Sequence, residues 1–330
     1  MGIGLRALGH PDSRLLIPDS SCPSPHLPAA FAIRGMLGAF HFETLENPLG
    51  QRIISALVLA PILLVIVWLG GWWTTILIAV AVVLGIREIV RILRAGGLHP
   101  RQTVATVIGL AFVAAITMQE MRPDAVNLTA EVVALGAIVA LLNEVWRRER
   151  TGSLDAWATT LASGVYVGAL LAHFVQLRAL NTVPLRPNPL SAINLAPGAA
   201  WVYTTFAVTW ASDTGAYFAG RALGRHKMSP LLSPKKTWEG FIGGLLASVA
   251  AGIGVVPLLG LPISLAAGAL LGVVGALGGT LGDLAESLLK RQSGVKDSGS
   301  LIPGHGGLLD RMDSLLFTGP LVYYVLAVLL

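Results

Sequence analysis

The sequence is short of charge. Of its 330 residues, 12% are Asp, Glu, Lys or Arg and 54% are apolar, whereas soluble domains carry roughly 25% charged residues. So few charges cannot cover the surface of a soluble protein of this size. A mean hydropathy of +0.71 makes lipid the solvent for much of the chain. There is one cysteine, Cys22, which excludes an internal disulfide and a cysteine metal cluster. No basic stretch followed by an apolar core and a small-residue cleavage site precedes the first long apolar run, so no signal peptide is expected. The net charge of +5 does not call for nucleic acid, because a basic excess in such a chain reports loops lying beside anionic lipid.

What is present is a series of apolar runs. Residues 1–46, with several prolines, read as a mobile tail, and Met36 is an alternative start that would make the tail an artefact. A bilayer core of ~30 Å needs about 20 mostly apolar residues per helix. Nine such spans are expected, at roughly 53–70, 72–90, 103–120, 128–146, 156–177, 199–219, 241–259, 262–289 and 314–330. The fold class is therefore all-α, a polytopic membrane helical bundle of about nine transmembrane helices. Arg87, Glu88 and Arg91 read as a polar extension of the second span beyond the membrane.

Connections 87–101, 146–155, 220–240 and 290–313 hold 4, 3, 5 and 4 basic residues, whereas the alternate connections hold only Arg122, Arg178 and Arg186. That asymmetry puts the amino terminus in the cytoplasm and Leu330 outside. Glycines at three- and four-residue spacing, such as Gly268, Gly272, Gly275 and Gly279, allow close helix packing.

Three polar clusters break the pattern, all on the expected cytoplasmic side. The first is "WASDTGAYFAG", late in the sixth span. An Asp at the bilayer centre costs ~2.5–3.5 kcal/mol, so Asp213 must face the bundle interior or water. Asp213, Tyr217 and Gly220 share one helix face, with Ser212 and Thr214 beside Asp213. The second is "SPKKTWEG". Thr237 can cap the following helix, and Lys235 and Lys236 then stand beside a helix amino terminus that favours anions.

The third cluster runs from Gly282 to Ser314. Asp283, Glu286, Ser287 and Lys290 lie on one helix face. Arg291, Lys296, Asp297, the glycine-rich turn around His305, and then Asp310, Arg311 and Asp313 follow. Alternating carboxylates and cations suit a polyphosphate–Mg²⁺ site, carboxylates taking the metal and cations the phosphate oxygens. His305 is not read as a zinc ligand, since no cysteine or second histidine stands near it.

These residues resemble the phosphatidate cytidylyltransferase (CDP-diglyceride synthase) family. "SLLKRQSGVKDSGSLIPGHGGLLDRMD", Ser287 to Asp313, agrees with the family signature throughout, and "SDTGAYFAGR" and "SPKKTWEG" resemble two further family stretches in the expected order. The resemblance covers roughly residues 50–330. It makes 47–330 a membrane-embedded cytidylyltransferase domain, and it implies an all-helical bundle, a homodimer, and Mg²⁺ with K⁺ as an accessory cation. CTP, phosphatidate and membrane lipids are the implied partners. The implied place is a bacterial inner (plasma) membrane with the active site cytoplasmic.

Carried over position by position, Asp283 and Asp310 are the metal-binding aspartates. Lys290, Lys296, His305 and Arg311 join them as catalytic residues. Ser212, Asp213, Tyr217, Lys235, Lys236, Thr237, Glu286, Ser287, Arg291, Asp297 and Asp313 are expected at the substrates. A phosphatidate oxygen would attack the α-phosphorus of CTP in line, with His305 a hydrogen-bond donor to phosphate rather than a base. The rivals are a CTP-dependent polyprenol or phytol kinase and, from another class, an ion or lipid transporter.

Overall fold

Apolar runs separated by short polar or glycine-containing turns fold here as antiparallel helical rods. The computed structural model describes residues 48–122, 127–146, 151–299 and 306–330, with side chains from residue 57 onward. The expected tail and His305 lie outside the described residues. Among the described residues there are nine rods: α1 (Pro48–Leu69), α2 (Trp72–Ala95), α3 (Gln102–Met121), α4 (Thr129–Val145), α5 (Ser153–Ala179), α6 (Pro197–Leu223), α7 (Trp238–Leu259), α8 (Leu265–Gln292) and α9 (Leu309–Leu329). Five of them, α3, α5, α7, α8 and α9, are long and apolar enough to cross a membrane. Of the others, α4 has only 17 residues, and the last turns of α2 carry Arg87, Glu88, Arg91 and Arg94.

Two local features depart from the expected uninterrupted helices. Gly164–Ala169 forms a π-helical turn inside α5. Between α6 and α7 the chain makes an antiparallel hairpin, β1 (Lys227–Ser229) against β2 (Ser233–Thr237). Pro234 removes a helix-compatible N–H there and biases Ser233 toward extended backbone.

Helix ends follow local chemistry. Thr237 caps α7 by accepting from the Gly240 N–H at 3.1 Å, and Ser264 caps α8 by accepting from Ala267 at 3.1 Å. Pro197 opens α6 at a first-turn position, where a missing N–H costs nothing. Gly260 closes α7 in the left-handed region, φ 65°.

The polar clusters are held by the tightest part of the bundle, in which α6 packs on α7, α7 on α8 and α8 on α9, while α9 returns to touch α5 and α6. Small residues make these approaches possible. A Cβ on Gly272 of α8 would lie 2.5 Å from the Ser248 carbonyl oxygen of α7. At the same crossing the Ser248 hydroxyl lies 2.8 Å from the Val208 carbonyl and 2.7 Å from that of Gly272, so three helices share one buried donor. Buried Phe174 and Phe206 (centroids 5.9 Å apart) and fully buried Trp201, Leu271 and Leu316 belong to the apolar core of the bundle.

Candidate active site

The three polar clusters meet at one end of the bundle. The C-terminal ends of α6 and α8, the hairpin, and the N-terminal ends of α7 and α9 come together there. β2 runs directly into α7, so Lys236 is fixed one residue before the capping threonine. Its ammonium lies 2.8 Å from Asp283 Oδ2 on α8 and donates to the Thr280 carbonyl at 3.3 Å. The Ser287 hydroxyl, one turn on, donates to Asp283 Oδ1 at 3.2 Å. The second and third clusters are thus joined by an ion pair.

A second pair lies deeper. The Lys290 ammonium is 2.7 Å from Asp310 Oδ1 on α9 and 3.1 Å from Glu286 Oε1 on its own helix. Glu286 is 0% exposed and neither of its oxygens accepts a well-directed hydrogen bond. Among the described residues its charge is balanced by proximity to Lys290, which makes that lysine hard to replace. Asp310 is fully engaged: Oδ2 accepts from the Ser298 N–H (3.0 Å), the Ser298 hydroxyl (2.9 Å) and the Gly307 N–H (3.0 Å). Gly306, φ +84°, supplies the left-handed turn that aims the Gly307 N–H at Asp310.

Asp213, from the first cluster, and Asp313, on α9, lie within electrostatic range of Asp283 and of each other. Three helices therefore contribute a carboxylate to one place, with Lys236 and Lys290 alongside. Like charges brought together in this way disfavour one another's ionisation, and a cation or metal between them relieves that repulsion.

The remaining expected residues are placed less centrally. Thr237 is a buried cap. Ser212 is buried against Gly244 of α7, a packing position. Tyr217 is exposed, and its hydroxyl accepts from Arg221 at 3.0 Å. Arg291 is exposed and donates to the Leu232 carbonyl at 3.4 Å, tying the hairpin to α8. Lys235, Lys296, Asp297 and Arg311 are exposed. They lie on the exposed parts of the segments that build the cluster. His305 is outside the described residues.

Sequence reasoning missed Glu88 and Ser298. Glu88 is not a polar extension of α2 but is buried, its carboxylate accepting from the Ser298 hydroxyl and from the N–H groups of Leu308 and Leu309. A signal existed. Ala81, Gly85, Glu88 and Ile92 are spaced four, three and four apart and all are buried, so Glu88 sits on the apolar stripe of its helix. Tyr166, on the π-helical turn, was also missed; its buried hydroxyl has no hydrogen-bond partner among the described residues and lies within electrostatic range of Glu286 and Asp313.

Among the described residues, no three Asp, Glu, His or Cys side chains stand close enough to hold a metal unaided. Mg²⁺ does not need that. It keeps several waters and binds through one or two carboxylates plus substrate phosphates. Asp283 already draws a cation, the Lys236 ammonium, and its neighbours are hard oxygen donors, so the residues fit Mg²⁺.

The chain is similar to known proteins over most of its length. Residues 50–329 match the Cytidylyltransferase family. The phosphatidate cytidylyltransferase of Synechocystis is 36% identical over 294 residues, covering 85% of this chain and 97% of that protein. The Bacillus subtilis phosphatidate cytidylyltransferase is 31% identical, over 84% of this chain and 97% of its own length. That of Staphylococcus haemolyticus is 32% identical, over 83% and 96%. With a family match across nearly the whole described region, and long apolar helices carrying a cluster of carboxylates and lysines at one end, the chain belongs to the cytidylyltransferase family and is a membrane-embedded nucleotidyltransferase.

Proposed function

We infer that this enzyme joins CTP to phosphatidate, giving CDP-diacylglycerol and pyrophosphate. The observation that carries the reading is the interleaving of charge across segments far apart in sequence: Lys236 on Asp283, and Lys290 between Glu286 and Asp310. Two polyanions must be brought together before they react. A site that presents cations and carboxylates in alternation, at the ends of apolar helices, suits a nucleoside triphosphate and a lipid phosphate at head-group depth.

In the reaction, a phosphate oxygen of phosphatidate forms a bond to the α-phosphorus of CTP. The bond from that phosphorus to the bridging oxygen of the β-phosphate breaks, and pyrophosphate leaves. The attacking phosphate is already anionic, so no strong base is required. Lysines and arginines do the electrostatic work. Lys236 and Lys290 are fixed in ion pairs and can turn toward phosphate oxygens when substrate competes for them. Lys235, Lys296, Arg291 and Arg311 are exposed around them and are assigned to the triphosphate and the lipid phosphate. His305 is assigned as a hydrogen-bond donor to phosphate.

Mg²⁺ would be held by Asp283, with Asp213 and Asp313 in electrostatic range, and would supply neutralisation of charge on the leaving pyrophosphate. Asp310 is a ligand only after exchanging one of the donors it now accepts from. An accessory K⁺ rests on the family resemblance alone, as does a homodimer.

We further propose that all nine rods cross the membrane, with the amino terminus and the active site in the cytoplasm of a bacterial inner membrane. The alternation of Lys and Arg between successive connections supports this orientation. So does the meeting, at the site, of the C-terminal ends of α2, α6 and α8 with the N-terminal ends of α7 and α9. Those are the ends that share one side when every rod crosses.

The test is an assay of purified protein with CTP and phosphatidate in which both products are identified. CDP-diacylglycerol and pyrophosphate are expected in equal amounts. Release of CDP with a phosphorylated lipid would make it a kinase, and ion or lipid flux without CTP consumption would make it a transporter.

A further inference from the structure

We propose that Glu88 is a positioning residue for cytidylyl transfer. From α2, it holds Ser298 and the start of α9 in the arrangement that presents Asp310 to Lys290. The inference rests on the reading of this cluster as the place of catalysis, and it assigns a role to a residue outside all three charged motifs.

The geometry is that of a helix cap supplied from a distance. The first N–H groups of a helix have no partner within it. α9 begins at Leu309 and takes no cap from its own N-cap side chain. Glu88, more than 200 residues earlier, fills that role: Oε1 accepts from Leu308 N–H at 3.0 Å and Oε2 from Leu309 N–H at 2.7 Å. A carboxylate at a helix amino terminus is also favoured by the helix dipole. Glu88 is 7% exposed, so these bonds are made away from water, where losing one is expensive.

Glu88 holds the other end of the loop as well. The Ser298 hydroxyl is 3.0 Å from Glu88 Oε2 and 2.9 Å from Asp310 Oδ2, so one proton is shared between two carboxylates. Ser298 and the start of α9 are thereby gathered on one side chain of a third helix. The loop carries matching signs of this clasp. A Cβ on Gly299 would come within 2.8 Å of Glu88 Oε1, and one on Gly307 within 2.6 Å of Glu88 Oε2. At Gly307 a Cβ would also meet the Gly299 backbone nitrogen at 2.8 Å, which cannot turn aside. Asp310, in the first turn of α9, is then fixed 2.7 Å from Lys290.

The amide of Glu88→Gln tests this. In either orientation its NH₂ group faces a backbone N–H, of Leu308 or of Leu309, and one of the two bonds becomes a donor–donor contact. With the full chain in lipid nanodiscs, two readouts are taken: kcat/KM for CTP, and hydrogen exchange of the amides at 307–309 relative to those at the α6–α7 crossing. Glu88→Gln is expected to lower kcat/KM about tenfold or more, the size of one charge-assisted hydrogen bond, and to accelerate exchange at 307–309 selectively. Glu88→Asp, which keeps the charge, should recover part of both. Wild-type exchange at 307–309 in Glu88→Gln overturns the clasp. Uniformly faster exchange across the bundle, with activity falling only as the folded fraction falls, reduces Glu88 to a stabilising residue and overturns positioning. If the unaltered protein makes no CDP-diacylglycerol, the functional reading fails, while the exchange experiment still decides whether Glu88 holds the loop.

Discussion

Lys290 and Asp310, 20 positions apart in sequence, place an ammonium and a carboxylate oxygen 2.7 Å apart at the junction of α8 and α9. Among the described residues, the same ammonium is the one counter-charge in contact with the fully buried Glu286. Removing it strands Glu286 and leaves Asp310 held only through Oδ2, by Ser298 and Gly307. Breaking a buried pair by deleting one partner costs about 3–5 kcal/mol. Lys290→Met should therefore unfold more readily in thermal or denaturant titrations in detergent. Adding Glu286→Gln should recover part of the loss. A Lys290→Met protein as stable as the parent would mean that Glu286 is neutral or reached by water.

Asp283 tests the chemistry rather than the fold. It is partly exposed, and its partners are the partly exposed Lys236 and the hydroxyl of Ser287, which can still donate to an Asn carbonyl. Asp283→Asn should lower turnover by about two orders of magnitude or more, the range seen when an electrostatic catalytic group is removed. Membrane insertion and the unfolding midpoint should change little. Turnover near that of the parent would take Asp283 out of the site.

How far the sequence alone reached depends on the range of the interaction concerned. Helices follow from runs of about 20 apolar residues, a local property, and all nine rods lie where such runs predict them. Caps are local too: Thr237 and Ser264 are legible from one turn of sequence. The i, i+4 pairing of Glu286 with Lys290 follows from helical period. What stays hidden is contact between distant segments. Nothing near Glu88 says that it ends at Leu308 and Leu309, because that contact depends on how α2 packs against α9. Likewise Asp310 looks identical to Asp313 in a one-dimensional pattern. Only the fold shows that Asp310 is saturated by Lys290, Ser298 and Gly307 while Asp313 shares electrostatic space with Asp213 and Asp283. The hairpin was hidden for a related reason: its two strands are three and five residues long, shorter than any periodic pattern can register.

The donor set around Asp283 consists of hard oxygens, with no sulfur and no described imidazole beside them. Activity should therefore require Mg²⁺ or Mn²⁺. Chelation with EDTA should stop pyrophosphate release, and Mg²⁺ should restore it without refolding. A rate indifferent to EDTA would remove the metal from the mechanism and leave the lysines to neutralise both phosphates.

The last prediction separates glycines that look alike in sequence. Gly254 and Gly272 are both inside apolar helices, and a mid-helix glycine is less favourable than alanine by about 1 kcal/mol on propensity alone. Their surroundings differ. A Cβ on Gly254 meets nothing within 4 Å, whereas one on Gly272 lies 2.5 Å from the Ser248 carbonyl oxygen and 2.5 Å from the Val249 Cα. Both obstacles are backbone and cannot turn aside. Gly254→Ala should leave stability unchanged or raise it slightly. Gly272→Ala must push α8 away from α7, with a cost of about 1–3 kcal/mol for overpacking. That displacement would also loosen the Ser248 hydroxyl from the Gly272 carbonyl and, further along α8, shift Asp283 from Lys236. Gly272→Ala should therefore lose activity as well as stability, with the unfolding midpoint and the rate of pyrophosphate release measured on one preparation. Equal midpoints for the two variants would show that α7 and α8 do not pack at the distance that brings Lys236 to Asp283.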